Sequence, residues 1–223
     1  MIIFEDVHKS YPTRLGRKVV VDHLNLVFDT RKNIGILGLN GAGKSTLLRL
    51  IGGAELPERG RIRRTVSISF PLGYSGCFAG NMSGRENAAF VARIYGYNVK
   101  QLVDFVEAFA ELGEYFDEPV KNYSSGMSSR LSFGVSIALE FDVYLIDEGF
   151  SAGDARFAAR CQAAFKERLE NSRLIIVSHT TETLLTYCDV GATLHQGKLT
   201  YYDDIKDAVA CYNDIVNEPL DTH

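Results

Sequence analysis

Short apolar runs open the chain: IIFEDV, then RKVVVDHLNLVF, then NIGILG, each of strand length and bounded by polar residues. The last passes directly into a glycine-rich turn and KSTLLRLIGG, whose apolar positions recur at helical spacing. A strand, a turn and a helix are predicted there. RIRRTVSISF reads as one further strand, and FPLGYSGCFAGNMSG, which has no period, as a long loop. From Arg85 to about Leu112 the pattern is helical, with Val103, Phe105, Val106, Phe109 and Leu112 in register, until Asp117 to Pro119 breaks it. Beyond Tyr123 come a helix over about Met127 to Phe141, the strand VYLID, a helix after Asp154 and the strand RLIIVSH. Two short strands, ATLHQ and KLTYY, and a helix over about Asp204 to Val216 follow. Strands separated by helices imply a mostly parallel sheet covered on both faces, an α/β fold.

Composition narrows the classes. Hydrophobic residues make up 46% of 223 residues, enough for one core and too much for a mainly disordered chain. The net charge of −4 provides no general basic field, so nucleic acid is not an expected partner. Cys77, Cys161, Cys188 and Cys211 form no CxxC pair, which argues against a zinc site and a disulfide scaffold. The N-terminus lacks the features of a secretory signal. Thr65 to Gly84, the longest uncharged window, holds Pro71 and several glycines and would make a poor membrane helix, so work at a membrane requires docking. Arg59, Arg61, Arg63 and Arg64 read as a solvated strand edge, and His8, His23, His195 and His223 show no metal-ligand spacing.

Three segments carry candidate chemistry. GLNGAGKS, Gly38 to Ser45, has the phosphate-loop spacing. Its small residues let backbone N–H groups curl around a phosphate, Lys44 can reach the β/γ-phosphates, and Ser45 can offer a hydroxyl to Mg²⁺. The strand before it and the helix after it favour this reading over a surface turn. VYLIDE ends a buried strand in two carboxylates: Asp147 is placed to hold a metal and Glu148 to orient or deprotonate water, or the pair is a solvated acidic turn. YSSGM, Tyr123 to Met127, is either a helix start that donates N–H groups to an anion or an ordinary serine N-cap.

In this order, with SAGD and with His179 ending RLIIVSH, these segments resemble the ATP-binding subunits of ABC transporters over nearly the whole chain. YSSGM with RLSF, and FDVYLIDEGFSAGDARF, resemble more narrowly the ATPases that export capsular polysaccharide in Gram-negative bacteria, with O-antigen exporters as near relatives. The resemblance implies a P-loop NTPase core with an antiparallel β subdomain and a helical subdomain over about 84–141, the whole of 1–223 being one nucleotide-binding domain. It also implies that Gly38, Asn40, Gly41, Ala42, Gly43, Lys44, Ser45 and Thr46 cradle the phosphates of ATP. Ser45 and Asp147 would hold Mg²⁺, Glu148 would be the catalytic base, and His179 would contact the γ-phosphate. Ser124, Ser125 and Gly126 would face ATP bound on a second copy, and Asp154 would lie at the seam of that homodimer. Tyr11 stands where the family places a ring on adenine, or else packs at a strand end.

The implied partners are an integral-membrane permease and, through it, the polysaccharide. The implied place is the cytoplasmic face of the bacterial inner membrane. The short segment after Gly197 leaves no room for an appended glycan-binding domain, which favours capsule over O-antigen. A non-transport ABC-type ATPase is the alternative; a P-loop kinase leaves YSSGM and His179 unexplained. Two departures from the wider family stand out. Ser125 replaces a glycine at a place of close approach to phosphate, which implies slow turnover. No glutamine follows VSISF, and Tyr74 to Ser83 is expected instead to meet the permease.

Overall fold

The computed structural model describes residues 1–14, 16–72, 78–147 and 155–217, which divide into two compact units. The first comprises Met1–Pro71, Phe141–Gly149 and Ser172–His223. Its described residues hold nine strands in two sheets. β1 (Ile2–Thr13), β2 (Gly16–Phe28) and β4 (Arg59–Arg64) form an antiparallel sheet in the order β2-β1-β4. The second sheet runs β5-β6-β7-β3-β8-β9, with β3 at Ile34–Leu37, β5 at Ile68–Leu72, β6 at Val143–Asp147, β7 at Arg173–Val177, β8 at Val190–His195 and β9 at Lys198–Tyr202. β6, β7, β3 and β8 are parallel neighbours, and β9 returns antiparallel to β8.

RIRRTVSISF is therefore two strands in different sheets. At the break, the Asp142 side chain accepts hydrogen bonds from the Ser67 backbone N–H (2.7 Å) and hydroxyl (2.8 Å), and the Thr65 backbone N–H donates to the Met1 carbonyl. β5 also takes in Pro71 and Leu72, which the sequence pattern places in the loop.

Helix α1 (Lys44–Gly52) lies on one face of the large sheet. Leu47, Leu48, Leu50 and Ile51 are fully buried, and this stripe contributes roughly 1.5–3 kcal/mol per side chain. The same core takes Phe4, Phe28 and Val21 from the antiparallel sheet, so that sheet is braced against α1. α6 (Thr181–Tyr187), which the periodicity did not predict, and α7 (Ile205–Asn217) cover the other face, where a Cβ on Gly35 would lie 2.8 Å from Ile205 Cδ1. Arg64 donates to the Ile51 and Leu50 carbonyls and closes the end of α1, while Arg59 pairs with Asp6, and Arg61 and Arg63 with Glu5.

The second unit, Leu72–Glu140 and Phe150–Asn171, is helical. α2 (Gly84–Tyr95) and α3 (Val99–Ala110) replace the continuous helical run, because Gly96 adopts φ +73° and the Asn98 side chain caps α3 by accepting from Gln101 N–H. α4 (Ser125–Ala138) and α5 (Ala155–Leu169) complete it. Phe109 stacks on Phe133 and meets the edge of Phe157 at 5.7 Å between centroids.

Candidate functional site: a phosphate cradle and an outward-facing serine turn

The fully buried strand β3 leads into the Gly38–Ser45 turn. A side chain on Gly38 would come within 2.6 Å of the Leu194 carbonyl oxygen, so only glycine lets the loop leave β3 there. Gly43 has φ +106°, and any Cβ on it would collide with Val20 Cγ1. Gly43 is also the N-cap of α1, and no side chain caps that helix start. The first-turn N–H groups are thus presented to an anion, with no acidic residue in the turn to oppose it. Lys44 is 5% exposed, and its ammonium donates to the carbonyls of Gly38 (2.9 Å) and Leu39 (3.3 Å). A phosphate oxygen is a stronger acceptor than either carbonyl.

A cleft of about 310 Å³ opens over this turn, lined by Asn40, Gly41 and Gly43 to Thr46, with Tyr11, Lys18 and Val20 forming the wall from β1 and β2. Gly38 and Ala42 are not in the lining; Ala42 N–H closes the turn by donating to Leu39 (3.0 Å). Ser45 is exposed, whereas Thr46 is buried and its hydroxyl accepts from Arg49 (3.1 Å). Lys18 is a cation that the sequence reading missed. It is the cross-strand partner of Tyr11, and its ammonium donates to the Gly41 carbonyl (2.6 Å). Only the hairpin register places it there.

Tyr11 is set by polar contacts: its hydroxyl donates to Glu55 (2.6 Å), which also pairs with Lys9 (2.8 Å) and Arg49 (3.2 Å). Burial works against ionisation of Glu55, but hydrogen bonds from Lys9, Tyr11 and Arg49 outweigh it and hold the carboxyl down to about 2.

β6 is buried from Val143 to Ile146 and emerges at Asp147. Asp147 pairs with Val177 of β7, and Val177 with Ile36 of β3, two residues before Gly38. His179, exposed, follows the end of β7. The phosphate turn, Asp147 and His179 therefore leave the same carboxyl edge of three adjacent parallel strands, where α/β sheets bind ligands. Asp147 Oδ1 is buried and has no hydrogen-bond partner among the described residues. A buried carboxylate oxygen without a donor is costly unless a cation meets it. This oxygen and the exposed Ser45 hydroxyl are both donors of the kind that Mg²⁺ takes. Glu148 and Asp154 lie outside the described residues.

In the helical unit, Ser124 caps α4, its side chain accepting from Met127 N–H (3.2 Å), and Ser125 is the first helical residue. Both are exposed, and a Cβ on Gly126 would meet nothing nearer than Ser124 Oγ at 3.9 Å. The serine N-cap is thus real, and among the described residues of its unit nothing requires a glycine two residues later. Of the loop expected over Tyr74 to Ser83, residues up to Cys77 lie outside the described set. Its remainder is tied by the buried Asn87 side chain to Ala79, Met82 and Ser83.

The sequence profile of the ABC transporter family matches residues 21–151. The chain is 49% identical over 215 residues to the polysialic acid transport ATP-binding protein KpsT of Escherichia coli, covering 95% of this chain and 98% of that one. It is 45% identical to the capsule polysaccharide export ATP-binding protein CtrD of Neisseria meningitidis serogroup B, covering 96% and 100%. Among solved structures, the dimeric post-hydrolysis state of the ATP-binding cassette MJ0796 bound to ADP and Pi is similar in fold, with a TM-score of 0.71 at 17% identity, covering 90% of this chain and 98% of that one.

Proposed function

The chain belongs to the ABC transporter ATP-binding family, and from that premise we propose that it is the ATP-hydrolysing subunit of an exporter of capsular polysaccharide. The observation that carries the reading is the edge shared by the uncapped Gly43–Lys44 helix start and the unpartnered Asp147 oxygen, a pairing of anion and cation sites that suits a metal-bound triphosphate. Residues 1–223 act as one nucleotide-binding domain. The Gly38–Thr46 turn holds the phosphates, Lys44 offsets their charge, and Tyr11 stacks on adenine. Ser45 and Asp147 would hold Mg²⁺, which would supply positive charge to offset that of the phosphates.

Two copies pair head to tail, so that Ser124, Ser125 and Gly126 of one face the γ-phosphate held by the other, with Asp154 at the seam. Glu148 takes a proton as water oxygen bonds to the γ-phosphorus and the bond to the ADP oxygen breaks; His179 contacts the phosphoryl group as its charge spreads. Closure of the pair is transmitted to an integral-membrane permease through the segment ending at Ser83, and the permease moves the polymer. No helix among the described residues is long and apolar enough to cross a membrane, and attachment to the inner face of the inner membrane comes through that permease. The test is reconstitution of the chain with its permease in liposomes. ATP hydrolysis that Lys44→Ala abolishes, with loss of surface capsule in cells carrying that variant, is the expected result; normal capsule would overturn the reading.

A further inference from the structure

The hairpin of β1 and β2 carries a cluster of side chains that the function above does not use. Its register pairs Val7 with Leu24 and Lys9 with Val21, and the irregularity between them sets His8 opposite Asp22 and His23. Sequence spacing alone hides this, because the two histidines lie on different strands. Asp6 and His23 both adopt left-handed backbone, at φ +50° and +46°, an uncommon state for residues other than glycine. His8 Nδ1 lies 3.0 Å from Asp22 Oδ1, and His23 Nε2 lies 3.9 Å from the same oxygen. One ligand atom from each of the three residues falls within 4.8 Å of the others.

We propose that His8, Asp22 and His23 form a binding site for a borderline divalent cation of the zinc type. In a tetrahedral site with bonds of about 2.0–2.1 Å, neighbouring ligand atoms are about 3.3 Å apart. The two edges of 3.0 and 3.9 Å bracket that value and the third is no longer than 4.8 Å, so the side chains would close on the ion by rotation to complete the triangle. The outer contacts also fit. His23 Nδ1 is 2.6 Å from Asp6 Oδ1, and Asp6 is held by Arg59 at 2.8 Å. An ionised carboxylate only accepts, so Nδ1 carries a proton, and a metal ion would be met by the Nε2 lone pair on the side of Asp22. This is the carboxylate–histidine–metal relay that orients ligands in metal sites. His8 contributes Nδ1, its ring proton then residing on Nε2. The side chains of Asp22 and His23 are 56% and 51% exposed, so water can fill the fourth position and the ion has an open path. Two imidazoles and one carboxylate favour zinc or nickel over magnesium, which takes oxygen ligands in an octahedron. A bound ion would pin β1 to β2 in the hairpin that also positions Tyr11 and Lys18 over the nucleotide cleft.

The test is calorimetric titration of the full chain with ZnCl2, with MgCl2 in excess to occupy oxygen-only sites. One zinc per chain should bind saturably at micromolar concentration and raise the melting temperature. His8→Gln and His23→Gln should each weaken binding about tenfold or more, and the double variant should lose both the binding and the thermal shift, with ATP affinity retained as the control for folding. Unchanged zinc affinity in the folded double variant overturns the proposal, as does the absence of saturable binding to the unaltered chain. X-ray absorption on the zinc-loaded unaltered chain is independent of any variant's stability: two imidazoles in the first shell are expected, and an oxygen-only shell overturns the site.

Discussion

The Tyr11 hydroxyl donates a 2.6 Å hydrogen bond to Glu55, and this bond anchors the ring in the wall of the cleft over the phosphate turn. Base–aromatic stacking contributes about 1–3 kcal/mol per base. Tyr11→Ala should therefore weaken ATP binding about tenfold, whereas Tyr11→Phe, which keeps the ring and loses only the anchor, should weaken it about threefold or less. Equilibrium titration with a fluorescent ATP analogue measures both, and unchanged affinity in Tyr11→Ala would remove adenine stacking from its role.

Glu55, held by Lys9 first and then by Tyr11 and Arg49, has a pH signature. Glu55 titrates at about 2 in the folded chain, below its ordinary value of 4.5. A depressed carboxylate adds stability that is present above the unfolded value and lost as pH falls through the folded one, so the loss should occur between about pH 4.5 and 2. Glu58, brought to about 2 by the Ser10 hydroxyl and then Arg17, titrates in the same window. Thermal melts of Glu55→Gln should start lower than those of the unaltered chain at neutral pH, and the gap should narrow through that window; the Glu58 contribution is lost there in both proteins and cancels from the gap. A gap that stays constant with pH would sink the assignment.

What was legible in the chain was local. GLNGAGKS and VYLID are continuous segments whose chemistry and strand context sit within a dozen residues, so Gly43, Lys44 and Asp147 could be named from them. Contacts set by strand register could not. Lys18 reaches the Gly41 carbonyl only because it pairs with Tyr11, and His8 meets Asp22 only through an irregularity between Val7 and Lys9. The division of RIRRTVSISF depended on Asp142, 75 residues from Ser67, and periodicity carries no information over that span. Helix α6 is seven residues long, too short for a helical period to stand out.

The close approach of Gly43 to Val20 gives a packing prediction. Gly43→Ala introduces a methyl group into Val20 Cγ1 at a left-handed position. Overpacking of this kind costs about 1–3 kcal/mol, or about 2–4 °C in melting temperature per kcal/mol for a chain of this size. Gly43→Ala combined with Val20→Ala should recover part of the loss, since space is restored and the backbone strain is not. Full recovery in calorimetric melts would show that the φ of Gly43 is unimportant.

Asp147 and Glu148 should separate by variant. Asp147→Asn places an amide donor where an unpartnered oxygen lies, so magnesium-dependent hydrolysis should fall by about two orders of magnitude while metal-free ATP binding is kept. Glu148→Gln should retain binding of Mg·ATP, stop turnover and accumulate paired chains in size-exclusion chromatography. Near-normal hydrolysis by Glu148→Gln would refute its role as base.

Gly126 should separate the single chain from the pair. It is in the first turn of α4, and a Cβ there meets only Ser124 Oγ at 3.9 Å, so replacing it with alanine removes backbone entropy from the unfolded chain without a clash in its own unit. A gain of about 0.4–1 kcal/mol is expected for the isolated chain. Ser124→Ala should do the opposite, costing about 1 kcal/mol through loss of the cap to Met127. If the turn lies against the nucleotide of a second copy, the added methyl group obstructs that approach, and Gly126→Ala should lower ATP-driven pairing and hydrolysis tenfold or more while raising the melting temperature. Stability and turnover would then move in opposite directions for one substitution. Unaltered hydrolysis in a stabilised Gly126→Ala chain would mean that the serine turn faces no phosphate.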